Sequence, residues 1–316
     1  MDAEMAETAI WRKAIPEGRD RAQSRVLVVI VGSLIAVMSI STLVLAYSRV
    51  NQFPVFVLSV IGVSVAFASV VRMLRAATAV AAVCGGMICL LLIYWTARFD
   101  ESIGRTALTP LVLLFVLTFL STRAGRHRKA KAGLAEKRKG RSASQVIANL
   151  SVAALCVTPL TYVTLERLMP GCCVSGVANV WIDWTMRMMC LAALIEATAD
   201  TVSSEIGQAF GGTPRMVLGF RRVEPGTDGA VTLLGTGAGV LGGAVVAAVG
   251  MWGLRLSFTQ AAIAFGAGVC GLFFDSLLGA TVERKGWIGN DLVNFSSTAF
   301  AAGVAVVAYR LIAFSR

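Results

Sequence analysis

The sequence has little charge, a single histidine and no phosphate-binding P-loop. Only 15% of its 316 residues are Asp, Glu, Lys or Arg, whereas a soluble domain typically carries about a quarter. Hydrophobic residues make up 56% of the chain and are collected in long blocks, which argues against one large soluble core. The composition therefore indicates a membrane protein that crosses the bilayer several times.

The scarce residue types also exclude several kinds of site. His127 is the only histidine, and the adjacent Cys172 and Cys173 lack the spacing of metal ligands, so a zinc site is not expected. Most cysteines lie in apolar runs, where cysteine behaves as a small hydrophobe. The Walker motif G-x-x-x-x-G-K-[ST] is absent. The N-terminus is a poor signal peptide, because a long stretch of mixed charge precedes the first apolar run.

Nine apolar segments approach the length of about 20 residues that a bilayer crossing requires. They lie at about 26–47, 53–72, 77–97, 106–122, 146–166, 184–202, 231–252, 258–280 and 292–313. The segment 106–122 is short, and the segment 184–202 contains Arg187 and carboxylates. We predict an all-α integral membrane protein with about nine transmembrane helices.

The distribution of basic residues predicts the orientation of these helices. Nine of the 29 lysines and arginines lie between Arg123 and Arg141. Such a run can bind nucleic acid, but beside membrane spans it more often marks the cytoplasmic side. Arginines before the first span and between the second and third fall on the same side if the spans alternate. We therefore expect a cytoplasmic N-terminus and no nucleic-acid partner.

The composition changes near residue 142. The first four spans contain almost no polar group, whereas the last five carry most of the glycine and the carboxylates. This pattern suggests a four-span accessory region at 1–122, a basic cytoplasmic linker at 123–144 and a five-span catalytic region at 145–316. No internal repeat is visible.

Polar side chains collect at corresponding ends of three C-terminal spans. They are Glu196, Asp200 and Glu205 at the end of the sixth span, Asp275 at the end of the eighth, and Asn290, Asp291 and Asn294 at the start of the ninth. With alternating spans, all of them lie at the cytoplasmic face. The active site is therefore predicted at the cytoplasmic ends of the C-terminal helices.

Helical spacing divides these acids into two groups. Glu196, Asp200 and either Ser203 or Ser204 fall on one stripe, whereas Glu205 lies roughly 140° around the helix from Asp200. Glu205 therefore joins a site only if the helix breaks before it. Carboxylate and amide oxygens without histidine or cysteine suit Mg²⁺, which usually arrives with phosphates. A single acid at a helix end is commonly a solvated cap, but several at one side favour a function.

Two glycine patterns have different interpretations. In "RRVEPGTDGAVT", a turn through Gly226, Thr227 and Gly229 follows Arg221 and Arg222, and glycine turns with nearby arginines can bind phosphate. Alone, such a turn is more often only a turn.

In the seventh span, small residues recur every four positions, and we read this stripe as close helix packing. The residues are Gly235, Gly239, Gly243 and Ala247.

Three sequence blocks resemble a known membrane family. The blocks "EATADTVSSEIGQAFGG", "VEPGTDGAVTLLGTGAG" and "FFDSLLGATVERKGWIGNDLVN" are similar, in order and spacing, to those of the family that includes plant phytyl-phosphate kinase and the transmembrane protein 19-like proteins. The resemblance covers roughly residues 190–303, and "VSS" after Asp200 is a mild departure. The first block also resembles, more loosely, that of CTP-dependent polyprenol kinases. The matching positions are Glu196, Asp200, Thr201, Ser204, Glu205, Gly226, Thr227, Gly229, Asp275, Ser276, Gly279, Asn290, Asp291 and Asn294.

The resemblance implies a Mg²⁺-dependent kinase. It would transfer a phosphoryl group from a nucleoside triphosphate, with CTP as the expected donor, to an isoprenyl monophosphate such as phytyl or geranylgeranyl phosphate. Asp200, Asp275 and Asp291 are expected to hold the metal, with Glu196 also in the catalytic set. The residues that would bind the nucleotide and the acceptor are Thr201, Ser204, Glu205, Arg221, Arg222, Gly226, Thr227, Gly229, Ser276, Asn290 and Asn294.

Two other functions fit the same composition. A secondary transporter would use intramembrane carboxylates for ion coupling, although such proteins commonly have repeats and midplane sites. A non-enzymatic lipid-binding protein or scaffold would use the basic linker to contact anionic headgroups.

Overall fold

The computed structural model of the chain describes residues 15–98, 102–131, 134, 140–168 and 177–314, with only the backbone described at 177–179 and 313–314. Most of these residues are helical. Part of the predicted basic linker and the Cys172–Cys173 pair lie outside the described residues.

The helices follow one another along the chain. The first half contains α1 (Glu17–Ser48), α2 (Pro54–Met73), α3 (Ala79–Thr96), α4 (Leu108–Arg123) and the short α5 (Arg126–Lys131). The second half contains α6 (Ala143–Cys156), α7 (Pro159–Leu168), α8 (Val177–Phe210), α9 (Leu233–Gly253), α10 (Phe258–Leu278) and α11 (Asn290–Phe314). Between α8 and α9 the chain forms a small antiparallel hairpin of β1 (Arg215–Met216) and β2 (Ala230–Val231).

Local sequence signals explain where several helices begin. Ser142 and Gln145 form a reciprocal capping box at the start of α6, and Ser257 and Gln260 form another at α10. Each box satisfies backbone N–H groups that the first helical turn leaves without partners. Thr232 caps α9 in the same way, by accepting a hydrogen bond from the backbone N–H of Gly235 at 3.0 Å.

Six helices of the described chain are long and apolar enough to cross a membrane, or seven if a bent pair counts as one span. The nine predicted spans are therefore confirmed only in part. Helix α4 has 16 residues, which at 1.5 Å per residue reach about 24 Å, less than the hydrocarbon thickness of about 30 Å. The segment predicted at 146–166 is the bent pair, since α6 and α7 meet at an angle of 61°.

Helix α8 has 34 residues, but charged side chains interrupt its apolar stretch. It lies at the centre of the bundle and packs against α4, α6, α9, α10 and α11. Its middle, for example Met188 and Leu194, is fully buried. Ionisable residues are tolerated within a membrane bundle when they face protein rather than lipid, which explains how α8 can hold several of them.

One hydrophobic core extends from α1 to α11. Ile35 on α1, Leu91 on α3, Leu194 on α8 and Ala305 on α11 belong to the same buried cluster. On the outside, α1 and α2 expose large apolar side chains such as Val44 and Leu58. Such surfaces suit contact with lipid tails. The division of the sequence at residues 122 and 144 stays a prediction.

Candidate functional site

A polar cavity of about 380 Å³ lies where the ends of α6, α8, α9, α10 and α11 meet. Helices α8 and α10 run toward it, whereas α6, α9 and α11 run away from it. Eleven of the residues predicted for the site line this cavity: Asp200, Thr201, Ser204, Glu205, Gly226, Thr227, Gly229, Asp275, Ser276, Asn290 and Asn294. The structure therefore brings together side chains that are up to 94 residues apart in the sequence, since Asp200 and Asn294 both line this cavity.

Close helix packing positions the two central carboxylates. Gly271 lies one turn before Asp275, and a Cβ atom there would be 2.6 Å from Glu196 Cγ and 2.9 Å from Ala301 Cβ. Only a glycine lets α10 approach α8 and α11 this closely. Because the three helices touch at this level, Asp200 on α8 and Asp275 on α10 line the same cavity one turn further on.

Helix α11 supplies a polar partner for Asp275 and further amides for the cavity. Ser297 donates a hydrogen bond from Oγ to Asp275 Oδ2 at 3.2 Å. One turn earlier, Asn294 donates from Nδ2 to Asn149 Oδ1 on α6 at 3.3 Å. Asn290 begins the helix and also lines the cavity. The amides of α11 and α6 therefore line the same cavity as the carboxylates of α8 and α10.

Glu196 lies deeper in the bundle than the cavity. It is 1% exposed, and neither carboxylate oxygen has a hydrogen-bond partner among the described residues. It lies one helical turn below Asp200, beside Gly271. A carboxyl group buried without a partner is costly, and ionisable groups within membrane bundles usually have a function.

The glycine turn between β1 and β2 closes the cavity from outside. Gly226 and Gly229 have φ values of 89° and 71°, a conformation that favours glycine. A Cβ atom on Gly229 would be 2.1 Å from the backbone nitrogen of Ala280, and one on Gly279 would be 2.7 Å from the backbone nitrogen of Gly229. The turn thus lies backbone to backbone on the end of α10.

Arg221 and Arg222 do not contribute to this cavity. They are exposed and absent from its lining. The backbone of the hairpin explains their position. The backbone N–H of Met216 donates to the carbonyl of Arg221 at 2.9 Å, and the backbones of Arg215 and Arg222 form an antiparallel β-bridge. The structure therefore places the two arginines, which were predicted to be part of a phosphate clamp, outside the lining of this cavity, and their role stays a prediction.

Asp291 is likewise placed outside the cavity lining. Ser24 on α1 donates a hydrogen bond from Oγ to Asp291 Oδ2 at 2.6 Å. Helix α11 starts at Asn290, so its next residue is rotated by about 100° and faces α1 instead. Asp291 was predicted as a metal ligand, and the structure separates it from Asp200 and Asp275.

Glu205 reaches the cavity although α8 continues unbroken past it to Phe210. Lys129 on α5 donates from Nζ to Glu205 Oε2 and to the carbonyl oxygens of Ser121, at 3.3 Å, and Thr122, at 2.8 Å. The lysine is 1% exposed. A residue of the basic segment thereby ties the ends of α4 and α8 together, and Glu205 takes a structural position at the cavity edge.

Several lining residues were missed by the sequence reasoning: Arg141, Gln145, Asn149, Asp228 and Glu283. Arg141 donates from Nη2 to Thr201 Oγ1 at 3.4 Å, but in the sequence it was one member of a basic run interpreted as a topology marker. Glu283 ends a π-helical turn, Gly279–Glu283, and π turns within α-helices are frequent at functional sites. Asn149, at mid-helix, gave no sequence signal.

The oxygen donors of the cavity suit a divalent cation that arrives with phosphate ligands. No group of three or more His, Cys, Asp and Glu side chains in the described part of the chain is arranged to hold a metal ion. Mg²⁺ needs fewer protein ligands, because it usually binds through one or two carboxylates together with substrate phosphates. Asp200 and Asp275, with the amides of Asn290 and Asn294 on the same cavity, fit that requirement.

Comparison with known proteins places these helices in a wider group. The profile of the family described as integral membrane protein DUF92 matches residues 59–302. An uncharacterised membrane protein of Methanocaldococcus jannaschii is 32% identical over 208 residues, which are 65% of this chain and 77% of that protein. The chloroplastic protein VTE6 of Arabidopsis thaliana is 30% identical over 212 residues, which are 66% of this chain and 60% of the plant protein.

A further relative is an uncharacterised membrane protein of Synechocystis, 29% identical over 187 residues, which are 58% of this chain and 67% of that protein. No solved structure matches the chain. The matched region begins within α2 and ends within α11. It therefore includes every helix whose end contributes to the polar cavity.

Proposed function

The chain belongs to the DUF92 family of integral membrane proteins, and from that premise we propose that it is an isoprenyl-phosphate kinase. A phosphate oxygen of an isoprenyl monophosphate attacks the γ-phosphorus of a nucleoside triphosphate. The bond between that phosphorus and the β,γ-bridging oxygen breaks, and the products are the isoprenyl diphosphate and the nucleoside diphosphate. The resemblance of the three sequence blocks to the family that includes plant phytyl-phosphate kinase supports this reaction, with CTP as the expected donor.

The observation that carries the proposal is the composition of the polar cavity. Asp200 and Asp275 face it from α8 and α10, the amides of Asn290 and Asn294 face it from α11, and a glycine turn covers it. Phosphoryl transfer depends on positioning and charge neutralisation more than on covalent catalysis. A cavity of carboxylates and amides at the end of a membrane bundle can position the substrates, and its carboxylates can hold the Mg²⁺ that would neutralise the phosphate charge.

The proposed acceptor also explains why the site needs no strong base. A phosphate monoester is already largely ionised at neutral pH, since its second pKa is about 6, so no proton must be removed before attack. The described lining contains no histidine, and His127 is not part of it. Mg²⁺ held by Asp200 and Asp275 would neutralise the triphosphate charge when bound.

The direct test is turnover. Protein purified in detergent is incubated with Mg²⁺, each nucleoside triphosphate and a panel of isoprenyl monophosphates, and the diphosphate is measured by mass spectrometry. We expect product formation with at least one pair. Folded protein that forms no product with any pair would contradict the proposal.

Two substitutions test the carboxylates. Asp200→Asn and Asp275→Asn are each expected to lower kcat at least about 100-fold, the scale on which loss of one preorganised electrostatic group acts. Glu17→Gln, the same type of change at an exposed position of α1, serves as the control and keeps the activity. Full activity in either aspartate variant would remove that residue from the site.

A further inference from the structure

A second, larger cavity of about 720 Å³ lies beside the polar one. It is lined by residues of α2, α3, α4, α5, α6 and α8, and its inner wall is apolar. Phe67 and Val71 come from α2, Ala81 and Gly85 from α3, and Leu114 and Phe115 from α4. Its volume falls within the range of about 300–1,000 Å³ that is usual for small-molecule sites.

One end of this second cavity is cationic. Arg75 follows α2, Arg123 ends α4, Arg126 begins α5 and Arg141 precedes α6, and all four line the cavity. Arg123 is held in place, since Nη2 donates to the carbonyl of Leu74 at 3.1 Å. No acidic side chain from the described parts of the chain lines this cavity. A cavity with a cationic end and an apolar interior suits a ligand with an anionic head group and an apolar tail.

The two cavities share a wall. Arg141 and Asn149 line both of them. On the polar side, Arg141 contacts Thr201, which directly follows Asp200. A phosphate bound at Arg141 would therefore lie at the boundary, with the carboxylate cavity on one side and the apolar chamber on the other.

We infer that the larger cavity holds the isoprenoid chain of the acceptor, and that Arg141 binds its phosphate at the entrance to the polar cavity. This inference rests on the proposed function and adds where the acceptor binds. It gives α2, α3 and α4 a specific task, which is to enclose the chain. The depth of the chamber then sets the longest chain that the protein accepts.

The first experiment measures binding without nucleotide, so that it does not depend on turnover. Isopentenyl, geranyl, farnesyl and geranylgeranyl monophosphates are titrated into the detergent-purified protein, with geranylgeraniol and phosphatidic acid as comparisons. Because each buried methylene contributes about fourfold in affinity, we expect the dissociation constant to fall at least about tenfold for each added isoprene unit until the chamber is filled. Geranylgeraniol, which lacks the phosphate, is expected to bind more weakly.

A pair of glycine substitutions localises the chain. A Cβ atom on Gly85 would meet only Phe67, at 3.7 Å, so a larger side chain there projects into the chamber. Gly85→Leu is expected to weaken geranylgeranyl phosphate binding at least tenfold and geranyl phosphate binding less than threefold. Gly62→Leu, on an exposed face of α2 with nothing within 4 Å, is the matched control and leaves both unchanged.

A second pair tests the head group. Arg141→Gln is expected to weaken binding of geranylgeranyl monophosphate to the level of geranylgeraniol. Arg167→Gln, at an exposed position of α7, is the control and is expected to leave this binding unchanged.

Unchanged chain-length preference in folded Gly85→Leu would overturn the inference. Equal or tighter binding of phosphatidic acid would also overturn it, and would assign the cavity to a membrane phospholipid. A protein that binds prenyl phosphates as expected but forms no diphosphate contradicts the proposed reaction and still supports this binding site.

Discussion

Four carboxylates near the ends of the C-terminal helices have four different surroundings. Asp200 faces the polar cavity, Glu196 is buried without a hydrogen-bond partner among the described residues, Glu205 pairs with Lys129, and Asp291 accepts from Ser24. The same functional group therefore lies in four different environments. An acid can hold a cation shared with a substrate only where it faces space that the substrate can enter. Asp200 meets this condition, whereas Asp291 faces α1.

This difference leads to a prediction for Asp291. Asp291→Asn keeps an oxygen that can accept from Ser24, and it removes no charge from the cavity lining. We therefore expect kcat to stay within about twofold of the unchanged protein, as for substitutions outside a functional network. The measurement is the diphosphate assay beside Asp200→Asn. A loss as large as that of Asp200→Asn would place Asp291 in the metal site after all.

At the scale of the elements, the packing of α8 against α9 determines where the α8 carboxylates lie. A Cβ atom on Gly235 would be 2.5 Å from the carbonyl oxygen of Ser203, and one on Gly239 would be 2.4 Å from that of Ala199. The two helices therefore touch through their backbones, as the stripe of small residues in α9 predicted. Helix α8 also packs against α10 and α11, and the cavity forms where the ends of these helices meet.

Two neighbouring glycines of α9 test this packing. Gly239→Ala is expected to lower the free energy of unfolding by about 1–3 kcal/mol through overpacking. Gly237→Ala, where nothing lies within 4 Å, is the matched control and is expected to raise it by up to about 1 kcal/mol, because alanine favours the helix. Thermal unfolding in detergent measures both. Equal effects of the two substitutions would contradict the backbone contact.

The start of α1 forms hydrogen bonds with the segment 286–289, which is distant in the sequence. Arg19 donates from Nη1 to the carbonyl of Gly286 at 2.9 Å. Gln23 bonds to the carbonyl of Trp287 and accepts from the backbone N–H of Gly289, both at 2.8 Å. These contacts fix the segment between α10 and α11. The first helix thereby orients the residues that begin α11, including Asn290.

On the scale of the whole molecule, both cavities open at the end of the bundle where the hairpin lies. The polar cavity, the cationic end of the apolar cavity and the hairpin all lie there, while the exposed apolar side chains of α1 and α2 suit lipid. The basic segment at this end predicts that it faces the cytoplasm. A cytoplasmic nucleotide would then enter the polar cavity without crossing the bilayer.

Labelling with a membrane-impermeant maleimide tests that orientation. The native cysteines are first replaced, and Arg222→Cys is introduced into the hairpin. We expect labelling in inside-out vesicles and none in intact cells. Gln52→Cys, between α1 and α2 at the opposite end, is the control and should give the reverse pattern. Labelling of the hairpin in intact cells would reverse the predicted topology and would contradict a cytoplasmic nucleotide site.

Much of the architecture could be predicted from the sequence, because the relevant signals are local. Hydrophobic runs and four-residue glycine spacing depend on neighbouring residues, and they predicted a helical membrane protein and the close packing of α9. The same reasoning placed Asp200 and Asp275 at matching helix ends. The number of spans was only partly predictable, because a break at 157–158 and the charges of α8 alter helices that look continuous in composition.

The tertiary structure alone decided which polar groups share a cavity. Arg141 meets Thr201, Ser24 meets Asp291, and Lys129 meets Glu205 across separations of 60, 267 and 76 residues. Such contacts depend on how each helix is rotated and tilted against its neighbours, which is set by side-chain packing throughout the bundle. The sequence by itself therefore determined a helical membrane chain with acids at its helix ends, and the packing determined which of those acids face a ligand.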